Sequence, residues 1–252
     1  MKKKSNNRLK GALINGLTAL NHLLWPKRCA NCSCVVFQWG DFCDSCGQEL
    51  NSLTAGTYCR RCGRNVSEYA ISANGCPICL PEEFVFDEIA RAGVYDGLLR
   101  NTILAFKKDS DKAKQTLSLL ENSALEGCAF SKNIDFFVPV PLHWTRKINR
   151  GYNQSHLLAK RLKHPAKVNT DLVRIRRTKS QVLMPSPHQR LKNVEGAFAV
   201  RKGHSFPGKN ICLVDDIKTT GATLNECAKT LKEAGAAKVY ALVLAVADQR
   251  VD

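Results

Sequence analysis

No stretch of this chain reaches the roughly 18 consecutive apolar residues that a membrane-spanning helix needs. A transmembrane segment is therefore not expected, and the composition is that of a soluble protein. Acids are scarce in one region. Between Ala129 and Lys209 only Asp135, Asp171 and Glu195 stand against 17 Lys and Arg, a balance of +14, and five of the six histidines lie there too. Residues 1–28 add +7, and the rest of the chain sums to −5 within a total of +16. An excess so localised points to a polyanionic partner rather than to general solubility. A convincing export signal is also missing: Lys2, Lys3, Lys4, Arg8 and Lys10 precede GALINGLTAL, but no small-residue cleavage site follows. Leu9, Leu13, Leu17, Leu20 and Leu24 instead keep a helical spacing and predict a basic amphipathic helix within residues 1–28.

Cysteine is abundant, and its spacing is informative. Of twelve, eight form four C-x-x-C pairs: Cys29 and Cys32, Cys43 and Cys46, Cys59 and Cys62, Cys76 and Cys79. The tight turn of such a pair aims two sulfurs at one ion, so residues 29–81 are expected to form a double zinc ribbon with two zinc ions. A disulfide framework is the alternative, disfavoured without an export signal, and a reducing cytoplasm is the expected compartment. Intervening lengths of 10 and 13 residues suit sequential sites, the first two pairs and then the last two; pairing across the middle is the other arrangement. Four thiolates per ion leave no position for water, so the zinc is structural. Gly47 and Gly63, just after their pairs, are expected to relieve strain at the knuckles.

From Pro81 onward the pattern is that of an α/β domain over residues 82–252. Strands are predicted at 88–94, 135–140, 172–177, 196–201, 211–214 and 238–246, with helices at 96–107, 111–127, up to Lys163, and 224–234. The stretch that organises this domain is ICLVDDIKTTGAT. Ile211 to Val214 read as a strand buried on both faces, ended by Asp215 and Asp216, and Lys218, Thr219, Thr220, Gly221, Ala222 and Thr223 lead into a helix. A short loop at a helix N-terminus offers free amides, hydroxyls and a positive dipole end to a phosphate. Two carboxylates beside a phosphate need hydroxyls or a cation to face, and a ribose 5-phosphate meets that need. The bland alternative is a solvated strand end with Thr223 and Glu226 forming a capping box. GHSFPGK at 203–209 imitates a Walker A loop, but Asn210 holds the Ser/Thr position, Pro207 lacks an amide and a strand follows, so it reads as a turn.

The acidic pair followed by TTGxT resembles the ribose-phosphate motif of type I phosphoribosyltransferases. The resemblance implies a parallel sheet with helices on both faces that binds phosphoribosyl pyrophosphate with magnesium. In that plan WTRKINRGYNQ supplies a pyrophosphate loop, with Arg146, Lys147 and Arg150 as candidates; a solvated basic face explains them as well. The long segment TKSQVLMPSPHQRLKNVE lies where these enzymes carry a flexible loop, with Gln181, Arg190 and Asn193 as its candidates. Together with the Cys pairs, VPVPLHWTRKINRGYNQS, GAF at 196–198 and VDDIKTTGAT, the chain resembles the ComF family from about Cys29 to Val246. It departs from the pattern at Lys218, a variable position, and at Phe106-Lys107-Lys108, where Leu-Lys-aromatic is more usual. The resemblance implies a role in natural transformation, handling single-stranded DNA in the cytoplasm beside a helicase-like competence protein.

Two functional classes follow. An active transferase needs no covalent nucleophile, so no catalytic residue is singled out, and no acceptor pocket is recognisable in the sequence. A nucleic-acid-binding protein would draw on the basic segment: Arg146, Lys147, Arg150, Lys160, Arg161, Lys163, Arg174, Arg176, Arg177 and Lys179 for phosphates. Trp144, Tyr152 and Phe206 are its candidate stacking platforms, with core packing the alternative for each. One donor substrate does not account for so many basic residues, which favours DNA handling.

Overall fold

The structure is a computed structural model that describes residues 26–36, 41–70, 72, 75–111, 114–144, 148, 151–179, 184 and 186–247. The chain divides into two compact units, Met1–Leu50 and Asn51–Asp252. The expected N-terminal helix, the pyrophosphate-loop candidates Arg146, Lys147 and Arg150, and Gln181 lie outside the described residues, apart from residues 26–28.

After helix α1 (Asp44–Thr54), the α/β domain runs β1 (Ile89–Val94), α2 (Gly97–Lys108), α3 (Lys114–Glu126), β2 (Phe136–Pro139), α4 (Gln154–Ala159) and β3 (Lys167–Val168). It continues with β4 (Leu172–Arg174), α5 (Pro187–Val194), β5 (Phe198–Val200), β6 (Asn210–Lys218), α6 (Ala222–Glu233) and β7 (Lys238–Val246). Five strands form one parallel sheet in the order β1-β7-β6-β2-β3. All-parallel sheets need both faces covered, and these strands are Val, Ile, Leu and Ala runs with scarcely an exposed residue. On one face Ile211, Leu213, Val239, Ala241 and Val243 share a core with Leu224, Cys227, Ala228 and Leu231 of α6. On the other, α3 packs on β1 and β7, and Phe130 stacks on Tyr240 with ring centroids 4.3 Å apart. Each fully buried Leu contributes roughly 1.5–3 kcal/mol to this arrangement.

Several expectations change. Strand β6 does not stop at Val214 but carries Asp215, Asp216 and Ile217 through to Lys218, because β7 continues to pair with it as far as Lys218↔Val246. The strands near 172 and 196 leave the main sheet and form a separate antiparallel pair, Leu172↔Val200 to Arg174↔Phe198. The long segment between them is not one loop. Ser186 caps α5 by accepting from Gln189 N at 3.2 Å, and proline fills the first turn. Helix α4 ends at Ala159 rather than Lys163, where Arg161 N and Leu162 N bond three residues back, to Leu158 O at 2.9 Å and Ala159 O at 3.4 Å, and tighten the chain into a turn. Asn122 of α3 takes over the freed backbone there, accepting from Lys163 N at 2.6 Å and donating to Arg161 O at 3.2 Å.

Candidate functional site

The two metal sites assemble from sequential pairs. Cys29, Cys32, Cys43 and Cys46 form one group and Cys59, Cys62, Cys76 and Cys79 the other, with all ligand atoms of a group within 4.8 Å of one another. Sulfurs held about 2.3 Å from a tetrahedral zinc stand about 3.8 Å apart. The Cys59–Cys79 and Cys62–Cys76 pairs lie at 3.8 and 3.7 Å, and Cys32–Cys43 at 3.6 Å. Both sets therefore fit zinc. Gly63 has the left-handed φ of 79° that a knuckle requires; Gly47 does not, because it lies inside α1. Cys34, outside the pairs, places its sulfur 3.3 Å from that of Cys32. The second site is tied to the α/β domain: Ile89 N donates to Arg60 O at 2.8 Å, and Arg61 donates to Cys79 O and Glu82 O at 3.2 and 2.6 Å.

At the far end of β6 the two acids are held in different ways. Asp215 Oδ1 accepts from Ser155 Oγ at 3.0 Å and from Asp216 N at 2.9 Å. Ser155 is itself aimed by Asn153, which caps α4 by accepting from Ser155 N at 3.1 Å and donates to Val140 O at 3.1 Å. Asp216 is paired with Lys107 of α2, Nζ to Oδ2 at 2.9 Å. Burial and the neighbouring Asp216 push the Asp215 carboxyl up to about 7, against the pull of Lys107 and Ser155. The site is poised between charge states. In the sequence Lys107 stands out only as part of a motif departure; its place in the last turn of α2 is the available signal.

Thr219 and Thr220 lead to Gly221, whose φ of 86° only glycine adopts freely and which caps α6 without a side chain. A cavity of about 20 Å³, room for about one water, is lined by Asp215, Thr219, Thr220, Gly221, Ala222 and Thr223. The capping-box alternative fails on Glu226, which accepts from Gly196 N at 2.7 Å. Lys218 belongs to the strand behind the loop: it is 1% exposed, with its Nζ 5.0 Å over the Phe84 ring.

The flexible-loop candidates are engaged locally. Asn193 accepts from Lys179 N at 3.1 Å and donates to Lys179 O at 3.0 Å, so it clasps the segment between β4 and β5. Arg190 Nε donates to Met184 O at 3.1 Å. Of the DNA candidates, Lys160, Arg161, Lys163, Arg176, Arg177 and Lys179 are exposed. Arg176 bonds Asn193 O and Glu195 O. Arg174 lies over the Phe198 ring at 5.2 Å. Phe206 is fully buried and is core, not a stacking platform. Trp144, 64% exposed, and Tyr152, whose hydroxyl donates to Phe106 O at 2.5 Å, line a cleft of about 600 Å³ with His156, Arg174 and Arg201. Nothing in the residue order points to this cleft, whose walls come from separate segments. A larger hollow of about 1030 Å³, beside Asp87, Lys232 and Lys238 at the start of β7, borders the metal ligand Cys59 but none of the predicted ribose-phosphate or DNA residues.

Comparison with known proteins decides the family. A double zinc ribbon domain matches residues 20–80 and a phosphoribosyl transferase domain matches residues 149–251. Competence protein F of Haemophilus influenzae is 32% identical over 212 residues, covering 81% of this chain and 89% of its own. The chain belongs to the ComF family. Competence protein ComFC of Bacillus subtilis is 30% identical over 198 residues, 77% of this chain and 79% of that one. The DNA utilization protein YhgH of Escherichia coli is 29% identical over 207 residues, 80% and 88% respectively. The ComF architecture here is a Cys-rich ribbon region with two four-cysteine sites and a parallel five-stranded phosphoribosyltransferase-type sheet. Among the described residues no helix is long and apolar enough to cross a membrane.

Proposed function

We propose that this ComF chain handles single-stranded DNA in the cytoplasm during natural transformation, with a phosphoribosyltransferase-like domain that binds phosphoribosyl pyrophosphate and magnesium. The observation that carries the ligand assignment is the acidic pair in front of the Thr219–Thr223 loop, where Asp215 and Asp216 can accept from a ribose diol while α6 directs its amides at the 5-phosphate. The donor set fits the group. Lys107 offsets one of the two carboxylates that an approaching phosphate would otherwise meet. Bound magnesium would neutralise the pyrophosphate leaving group. Ser155 and Asn153 hold Asp215 in place, and no side chain is needed as nucleophile.

The DNA reading draws on the +14 segment, on its exposed Lys160, Arg161, Lys163, Arg176, Arg177 and Lys179, and on the cleft that Trp144 and Tyr152 line. A helicase-like competence protein is the expected partner on the same strand. The names of the relatives, competence and DNA utilization proteins, support the same reading. The second reading is an active transferase of ribose 5-phosphate. The cleft beside Asn153 favours it, since about 600 Å³ accepts a base-sized acceptor.

Calorimetric titration of phosphoribosyl pyrophosphate with magnesium is the test. The double variant Asp215→Ala with Asp216→Ala loses binding while its circular dichroism stays native; unchanged affinity refutes the ligand assignment. Pyrophosphate release, measured with and without DNA or candidate amines, separates the binding protein from the transferase.

A further inference from the structure

Lys218 is the one fully buried lysine among the described residues, and its Nζ has no hydrogen-bond partner. Its stem runs beneath the phosphate loop: a Cβ on Gly221 would meet Lys218 Cε at 3.2 Å. The ammonium lies 5.0 Å over the Phe84 ring, a cation–π contact. Burying an ammonium costs more than one such contact returns, so the ring alone does not offset it. The same Phe84 ring packs against Cys59, Cys62, Cys76 and Cys79, so the ammonium and the second zinc site share one apolar neighbour. Burial and the Arg64 charge work against the ammonium, whereas Cys62, Glu82 and Cys79 favour it. Arg64 is paired with Glu82 at 2.7 Å, which offsets part of its repulsion. The other anionic groups beside Phe84 belong to the zinc centre. A zinc ion with four thiolates is formally dinegative, and the ion fixes the sulfurs in place.

The geometry points to Lys218 as a positioning residue that makes the shape of the phosphate loop depend on zinc in the second four-cysteine site. The inference rests on the reading of Thr219–Thr223 as a phosphate loop. With zinc bound, the dinegative cluster holds the ammonium, and the ammonium's stem supports Gly221 from behind. When the ion leaves and the freed thiolates take up protons, the ammonium loses its counter-charge and Gly221 loses its floor. Linkage requires the converse: removing the Lys218 charge weakens zinc at this site and not at Cys29, Cys32, Cys43 and Cys46. The ribbon then controls the ligand site without contributing a residue to it.

The test compares wild-type full-length protein with Lys218→Met, both zinc-loaded. Replacing a lone buried charge by an apolar side chain of similar length keeps the fold. Zinc release to a chromogenic chelator is followed, the phase that Cys76→Ser abolishes marking the second ion. Amide hydrogen exchange of Thr219–Thr223 is measured alongside. Lys218→Met releases the second ion about tenfold faster, leaves the first unchanged, and raises loop exchange about tenfold. Loop exchange in Cys76→Ser rises similarly, and adding Lys218→Met to it brings no further rise. Wild-type behaviour in either readout, or additive effects, overturns the coupling. Neither readout uses a sugar phosphate, so a wild-type chain that fails to bind phosphoribosyl pyrophosphate refutes the proposed function separately.

Discussion

Lys107 Nζ lies 2.9 Å from Asp216 Oδ2, an ion pair that joins the last turn of α2 to the end of β6, just ahead of the Thr219–Thr223 loop. Both partners are shielded, at 22% and 14% exposure, so water screens the pair less than a surface bridge. Without the lysine, an incoming pyrophosphate meets two uncompensated carboxylates. Lys107→Met is expected to weaken phosphoribosyl pyrophosphate about tenfold in calorimetry, the scale of one charge-assisted hydrogen bond. Tighter binding would mean that the lysine blocks the diol site rather than preparing it.

Asp215 gives the chain a pH signature. Its carboxyl titrates near 7 when folded, against 3.8 in the open chain, so the folded state binds the extra proton. Stability from this group is whole below about pH 4 and is lost as pH rises through 7. Asp215→Asn removes the charge at every pH. It should raise the melting temperature of the ligand-free protein by several degrees at pH 8 and by about a third as much at pH 5, as scanning calorimetry will read. An equal rise at both pH values would count against a buried, raised carboxyl.

Single-stranded DNA binding should be salt-steep, falling at least tenfold between about 50 and 200 mM salt. Replacing Lys160, Arg161 and Lys163 together by Ala should lower the log–log slope by about two. Trp144→Ala is expected to cost about 1–3 kcal/mol of affinity and leave that slope alone, because stacking releases no counterions. Fluorescence anisotropy across a salt series distinguishes the two effects; a flat dependence in the wild type removes the basic segment as the contact surface.

Elemental analysis should find two zinc ions per chain, one after Cys76→Ser and still two after Cys34→Ser. Cys34 lies 3.3 Å from Cys32 yet outside the four-ligand group. Loss of zinc in Cys34→Ser would make it a ligand.

The zinc sites are legible in the sequence because their information is local: each C-x-x-C turn is both the signal and the geometry. The same holds for ICLVDDIKTTGAT, where strand, acids and helix start are contiguous. Lys107 and Asp216 meet only because β1, α2 and the crossover to β6 deliver them to one strand end, and no spacing announces that. Lys218 reads as a loop residue when the strand is ended at the acids; pairing with β7 carries it into the sheet and turns its side chain inward. Helix α5 is hidden by its polar sequence, PHQRLKNV, although Ser186-Pro187 is an ordinary start signal. Phe206 shows the reverse error, since neighbouring charges say nothing about which way its ring points.

Strand β7 is the last of the sheet in sequence yet lies between β1 and β6. During synthesis those two flanking strands emerge first and have no bond to each other to form. They must wait, with their central edges bare, until residues 238–246 leave the ribosome and slot between them. The nascent chain is therefore most prone to mispairing just before those residues appear, and a nonsense codon between Lys218 and Lys238 leaves β1 cut off from β6, β2 and β3 rather than yielding a shortened domain.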